Sequence, residues 1–260
     1  MLQGHSVNLR DVLTRGSGYV RSAKTIYETF YITAPTILDA VVGKSTSQRA
    51  DQRLEYWSRR LIEMAEVKLT VTGRENFDRE RAYLVMCNHC SHFDIPVFFQ
   101  AYRRPVRMVA KKELFDVPMF GRALEASGFP KVDRGNRAQA IESLHKARLL
   151  LEEGTSLWIA PEGTRAKYPS TGLQPFKKGG FVLALEASLP ILPVAISGTH
   201  DILRPGTGVV RGNAHVHVHF GPVIEGTNTP YSTEARDALM AKVRTAMESA
   251  LTYANAQRQG

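Results

Sequence analysis

Two rhythms of apolar and polar positions divide this chain. From Val67 onward, short apolar runs alternate with helical patterns. VKLTVTG (67–73), YLVMC (83–87), VRMVA (106–110), SLWIA (156–160), ILPVAIS (191–197) and HVHVHF (215–220) read as strands. Between them, 94–102, 116–126, 136–153 and 179–187 read as helices. In 136–153, Ala140, Leu144, Ala147 and Leu151 share one face, and Gly154 ends the run. A last helix is expected from about Ser232 to Ala254, with Leu239, Val243, Ala246 and Ala250 in register. Strands alternating with helices predict a layered α/β sandwich with a mostly parallel central sheet. In such sheets ligands gather at the carboxyl ends of strands, so chemistry is sought there.

Before Val67 the pattern differs. Residues 18–42 are aromatic-rich with scattered charges, and Pro35 is expected to kink or break a helix there. After the link GKSTS, residues 47–66 form an amphipathic helix with Leu54, Trp57, Leu61, Met64 and Ala65 on one face. Such a pair can pack on the main domain. It can also lie in a membrane interface, with Tyr19, Tyr27, Phe30, Tyr31 and Trp57 at headgroup depth and Arg10, Arg15, Arg21 and Lys24 near anionic lipid. The two uses are compatible. The expected division is an N-terminal helical, membrane-associating segment, 1–66, and an α/β domain, 67–260.

Composition narrows the classes. The 260 residues are 43% apolar and 23% charged, which excludes a wholly disordered or collagen-like chain. The cysteines, Cys87 and Cys90, cannot build a disulfide framework or a four-cysteine zinc site, so a reducing compartment is expected. No charge-free run of about 18 apolar residues predicts a spanning helix, and MLQGHSVNLRDVLTRGSGYV lacks the apolar centre of a secretory signal. With 34 Lys+Arg against 25 Asp+Glu, the net charge of +9 calls for an anionic partner. Nucleic acid, an anionic membrane surface and a phosphorylated substrate are the choices.

Chemistry-bearing residues do follow the strands. After YLVMC comes Asn88-His89-Cys90-Ser91-His92-Phe93-Asp94. A histidine leaving a strand end suits a general base. Ser91-x-x-Asp94 has capping-box form, which would fold Asp94 back onto the His89 imidazole, where it would fix the tautomer. A plain helix start with a buried histidine is the alternative. Cys90 as a nucleophile, or as a redox partner of Cys87, is disfavoured, because sequence neighbours point apart. Lys111-Lys112-Glu113-Leu114, Asp133-Arg134, Pro161-Glu162-Gly163-Thr164-Arg165 and Phe176-Lys177-Lys178-Gly179 place cations at element ends, favouring a phosphate site. No nucleic-acid-binding motif is present, so a basic nucleic-acid binder is disfavoured. His215, His217 and His219 alternate along one strand, read as an exposed face rather than as zinc ligands.

These blocks, in this order, resemble the glycerolipid acyltransferase family, most of all the 1-acylglycerol-3-phosphate (lysophosphatidic acid) acyltransferases. Asn88 to Asp94 matches N-H-x-S-x-x-D; Lys112-Glu113-Leu114 through Asp133-Arg134, Pro161 to Arg165, and Leu189 to Val194 match the later blocks. The resemblance implies that His89 is the base and Asp94 orients it. It implies that Lys112, Arg134 and Arg165 grip the acceptor phosphate, and that Glu162, Gly163 and Thr164 shape the glycerol end. It further implies acyl transfer from coenzyme A or acyl carrier protein to the sn-2 hydroxyl of 1-acylglycerol-3-phosphate, giving phosphatidic acid. No metal or cofactor is expected, and the seat is peripheral or monotopic on the cytoplasmic side of a membrane. Ala160 stands where members often carry phenylalanine and Ala166 where serine is common, which leaves another lysophospholipid or an amino-acid lipid as an alternative acceptor.

Overall fold

The computed structural model describes residues 9–132, 146, 148–167, 172–226 and 230–259. Two long helices come first, α1 (Leu9–Val41) and α2 (Ser47–Met64). Pro35 does not break α1, contrary to expectation; the helix runs through it. Tertiary contacts outweigh the lost backbone donor. Asp39, beyond the proline, accepts from Arg49 at 2.9 Å and Arg53 at 2.6 Å, and Glu28, before it, pairs with Arg60 at 3.1 Å. The Thr46 hydroxyl caps α2 by accepting from Arg49 N–H.

The predicted apolar face of α2 is turned inward. Leu61 and Ala65 belong to the main core, with Leu54, Trp57 and Met64 packed against it. Trp57 is therefore partly buried against the core, its indole N–H donating to Thr29 Oγ1 at 3.1 Å. Arg21 also finds a protein partner, Glu66, at 3.3 Å. Tyr19, Tyr27, Phe30, Tyr31 and Leu38 are each more than half exposed. Among the described residues no helix is long and apolar enough to cross a membrane.

All six predicted strands pair into one sheet. They are β1 (Lys68–Thr72), β2 (Leu84–Cys87), β3 (Val106–Met108), β6 (Ser156–Ile159), β7 (Ile191–Ser197) and β8 (His215–Phe220), in the order β1-β8-β7-β2-β6-β3. Pairing is parallel except between β7 and β8, where Val194 opposes Phe220 antiparallel. The run VRMVA divides: its last residue joins β4 (Ala110–Lys111), which pairs with β5 (Lys131–Val132) in a small separate sheet. The helices are α3 (Asp94–Tyr102), α4 (Lys112–Phe115), α5 (Phe120–Ala126), α6 (Gly179–Glu186), α7 (Thr199–Ile202) and α8 (Thr233–Gln259). Thus 116–126 is helical only from Phe120, and residues 136–145 and 147 of the predicted 136–153 helix lie outside the described residues.

β2 is buried at every position, as a strand covered on both faces must be. Val85 and Cys87 face the core under α2 and α3, whereas Leu84 and Met86 face the core beneath α6 and α8. After β2 the chain moves to β3 on one side; after β6 it crosses to β7 on the other. The carboxyl ends of β2 and β7 therefore flank the point where the winding reverses, the place such sheets use for ligands.

The histidines of β8 are not on an exposed face. α8 covers them, with Tyr253 4.4 Å from the His219 ring, and His217 is only 1% exposed. Thr70 bonds His215 at 3.0 Å, and Thr72 bonds His217 at 2.8 Å and His219 at 2.9 Å. Burial pushes His217 and His219 below the usual histidine range. No group of three metal-ligating side chains occurs among the described residues.

Candidate active site

β2 ends in Asn88, whose side chain locks the strand to β7. Its amide donates to Ile196 O at 2.9 Å, and its carbonyl accepts from Ile196 N at 2.8 Å. This fixes His89, the next residue, at the carboxyl edge of the sheet. The His89 backbone is held too, its N–H donating to Glu162 Oε1 at 3.2 Å and its carbonyl accepting from Ala166 N at 2.7 Å. The imidazole packs edge-on to Trp158, with ring centroids 5.6 Å apart.

Asp94 folds back as expected. Its Oδ2 lies 2.7 Å from His89 Nδ1 and also accepts the N–H groups of Cys90 at 2.7 Å and Ser91 at 2.9 Å. Half of the expected capping box is thus present. The Ser91 hydroxyl accepts from Phe93 N–H, not from the N–H three residues on, and donates to Leu203 O, and α3 itself starts only at Asp94. An ionised carboxylate has only acceptors, so Nδ1 must carry the imidazole proton. Nε2 is left with its lone pair, the tautomer a base needs. The Asp94 side chain is 0% exposed and that of His89 16%, so the pair is buried at the carboxylate and open at the ring.

The open side faces a cavity of about 1170 Å³ between the α1–α2 pair and the sheet. Its walls are largely apolar, including Ile32, Leu54, Trp57, Phe99, Leu114 and Phe120. Arg165, Lys111 and Lys177 also border it, as do Gly163, Thr164 and His92. Burial, together with the positive charge of Arg165, holds the His92 imidazole down at about 4. A smaller pocket of about 280 Å³ is also bordered by His89 and Cys90, together with Glu162, His200 and Arg258.

The residues expected to form the site are placed unevenly. His89, Gly163, Thr164 and Arg165 come together at the cavity, with Asp94 buried behind His89. Lys112 opens α4 and is exposed, while Lys111 beside it borders the cavity. Glu162 is buried and spends both oxygens on backbone N–H groups, those of His89 and Gln174, so it braces the loop. Burial raises its carboxyl above the usual range. Arg134, and residues 168–171 of the loop after Arg165, lie outside the described residues. Cys90 and Cys87 are buried, and burial raises both thiols, which leaves neither poised as a nucleophile. Sequence reading missed Thr199, which donates its hydroxyl proton to Asp94 Oδ1. The strand-end rule could have pointed to it, because it follows β7 by two residues.

The acyltransferase family profile matches residues 68–197, which is half the chain. A 1-acyl-sn-glycerol-3-phosphate acyltransferase of Saccharomyces cerevisiae is 34% identical over 69% of this chain and 59% of its own. Proteins of the same name from Cocos nucifera and Borreliella burgdorferi are 38% and 30% identical, over 60% and 62% of this chain and 49% and 64% of theirs. The chain thus spans roughly half to two thirds of the length of these curated relatives. The crystal structure of PlsC, the 1-acyl-sn-glycerophosphate acyltransferase of Thermotoga maritima, superposes with a TM-score of 0.69 at 23% identity, covering 93% of this chain and 96% of that one. That likeness establishes the shared fold, and the profile match supplies the lineage: this chain is a member of the acyltransferase family.

Proposed function

We propose that the chain transfers a fatty acyl group from an acyl thioester to the free sn-2 hydroxyl of 1-acylglycerol-3-phosphate, giving phosphatidic acid. One observation carries this reading. The His89–Asp94 pair borders an apolar cavity large enough for acyl chains, and Arg165, Lys111 and Lys177 border the same cavity. A base, space for a chain and charge for a phosphate occur together. Several relatives bear the name of this activity.

In the proposed reaction, His89 Nε2 takes the proton of the acceptor hydroxyl as that oxygen attacks the thioester carbonyl. The new C–O bond makes a tetrahedral oxyanion; its collapse breaks the C–S bond, and the leaving sulfur takes its proton from the imidazolium. Asp94 stays ionised and stabilises that imidazolium. The N–H groups of Cys90 and Ser91 are committed to Asp94 and are not oxyanion donors. The balance closes without a resident metal or cofactor, and the donor is acyl-coenzyme A or acyl carrier protein. Arg165→Ala tests the phosphate grip. Loss of a charged hydrogen bond predicts kcat/KM about 10- to 100-fold lower with lysophosphatidic acid. Monoacylglycerol, which lacks the phosphate, should react at the wild-type rate. Equal losses on both acceptors would refute the assignment.

The same proposal seats the enzyme peripherally on a membrane, with the exposed aromatic side of α1 in the interface. The thiols of Cys87 and Cys90 are free, which fits the cytoplasmic side, where thioester donors are at hand. Paired changes Tyr27→Ser and Phe30→Ser should weaken sedimentation with anionic vesicles several-fold. Undiminished sedimentation would contradict this seat.

A further inference from the structure

Asp94 is shared between two strand ends. All three donors on its Oδ2 come from the β2 side: His89 Nδ1 and the N–H groups of Cys90 and Ser91. Its Oδ1 is served from β7, by the Thr199 hydroxyl, with the Cys90 thiol a distant 3.9 Å away. Thr199 is wholly buried. It is delivered by a turn at Gly198, whose φ of +103° disfavours any other residue, and where a Cβ would run into the His215 carbonyl oxygen. The Asn88–Ile196 hydrogen bonds hold the two strand ends in step.

The hydroxyl's single proton has two takers, Asp94 and Cys90. The carboxylate can only accept, so the proton goes to Oδ1, and the thiol, 3.3 Å from Thr199 Oγ1, is left as donor to that oxygen. A chain of donors therefore runs from Cys90 through Thr199 and ends on Asp94, which also accepts from His89 Nδ1 on its other oxygen. This also gives Cys90 a use that needs no nucleophilic thiolate.

We propose that Thr199 is a positioning residue for the acyl-transfer base, fixing the rotation and charge of the Asp94 carboxylate through which His89 is oriented. The inference rests on His89 being that base. Without the hydroxyl, the carboxylate keeps its anchors on Oδ2 and can turn about them, so the imidazole loses its aim. Its negative charge is also less dispersed, so the imidazolium is better stabilised and the ring takes its proton at higher pH. The other titratable or charged groups around the pair are Cys87 and Cys90 behind it, Glu162 at its backbone, His92 and Arg165 on the cavity side, and His200, Asp201 and Arg258 around the smaller pocket that His89 and Cys90 also line. Of these, Cys90 is the one whose side chain lies within hydrogen-bond distance of the Thr199 hydroxyl among the described residues.

The test compares Thr199→Val, which keeps the shape and removes the hydroxyl, with Thr199→Ser, which keeps the donor. In Thr199→Val, kcat should fall about tenfold with the KM for lysophosphatidic acid unchanged, as for loss of a group that acts only through orientation. The acid limb of its rate profile, and the NMR titration midpoint of the His89 ring, should rise by about half a pH unit. Thr199→Ser should keep kcat within about twofold of wild type and leave the acid limb and the titration midpoint at their wild-type positions. Wild-type kcat and midpoint in Thr199→Val would overturn the proposal, as would Thr199→Ser behaving like Thr199→Val. Thr199→Ala carries the same reading if the valine variant does not fold. The ring titration needs no substrate, so it still decides the matter if wild-type enzyme fails to acylate lysophosphatidic acid, an outcome that would count against the proposed activity instead.

Discussion

His89→Ala enzyme is expected to fold as the wild type does and to lose acyl transfer by about 10³- to 10⁴-fold, the upper range for loss of a positioned base. The ring is only partly buried, and among the described residues its side-chain hydrogen bond is to Asp94. Asp94 keeps its two backbone N–H donors and the Thr199 hydroxyl after the truncation, so its carboxylate is not left bare. The backbone bonds that hold position 89, to Glu162 and Ala166, do not depend on the side chain. Stability should therefore change little while turnover collapses. Because acceptor binding rests on other residues, the loss should appear in kcat with KM nearly unchanged. Steady-state kinetics beside a thermal melt would check this. A folded His89→Ala enzyme with near-normal turnover would contradict the assignment.

Asp94→Asn should cost nearly as much, by a different route. The size is kept, but the amide nitrogen must face one of two sides. Turned toward His89 it presents a donor where Nδ1–H needs an acceptor, which favours the wrong tautomer and places the proton on Nε2. Turned toward Thr199 it presents a donor to a hydroxyl that now has nowhere to send its own proton within the pair. In related triads the wrong tautomer costs about 10⁴-fold in kcat. A loss of about 10³-fold or more is expected here, with partial recovery at high pH, where hydroxide can replace the base. Rate profiles on the purified variant would show it, and a loss under tenfold would mean that Asp94 only caps α3.

Much of this was legible along the chain because it is local. Each strand is a short apolar run, and all six appear in the sheet. The His89–Asp94 contact spans a single strand-to-helix turn, so spacing alone suggested it. What stayed hidden depends on residues distant in sequence. Thr199 meets Asp94 across 105 positions, and no local pattern marks one threonine as its partner. Pro35 is carried through α1 by ion pairs to α2, which propensity does not contain. The β8 histidines alternate as an exposed face would, yet α8 returns from the end of the chain to cover them. The Glu162 carboxylate, expected beside the acceptor, instead braces the backbone of His89 and Gln174, a use set by how two loops meet.

The most direct measurement is a transfer assay in which purified protein is given 1-acylglycerol-3-phosphate in vesicles and an isotopically labelled acyl thioester, with the product lipid identified by mass spectrometry. The proposed function predicts phosphatidic acid bearing the labelled chain at sn-2, formed about 10³- to 10⁴-fold more slowly by the His89→Ala enzyme. Labelled free fatty acid without labelled phosphatidic acid, or product formed equally well by His89→Ala, would contradict it.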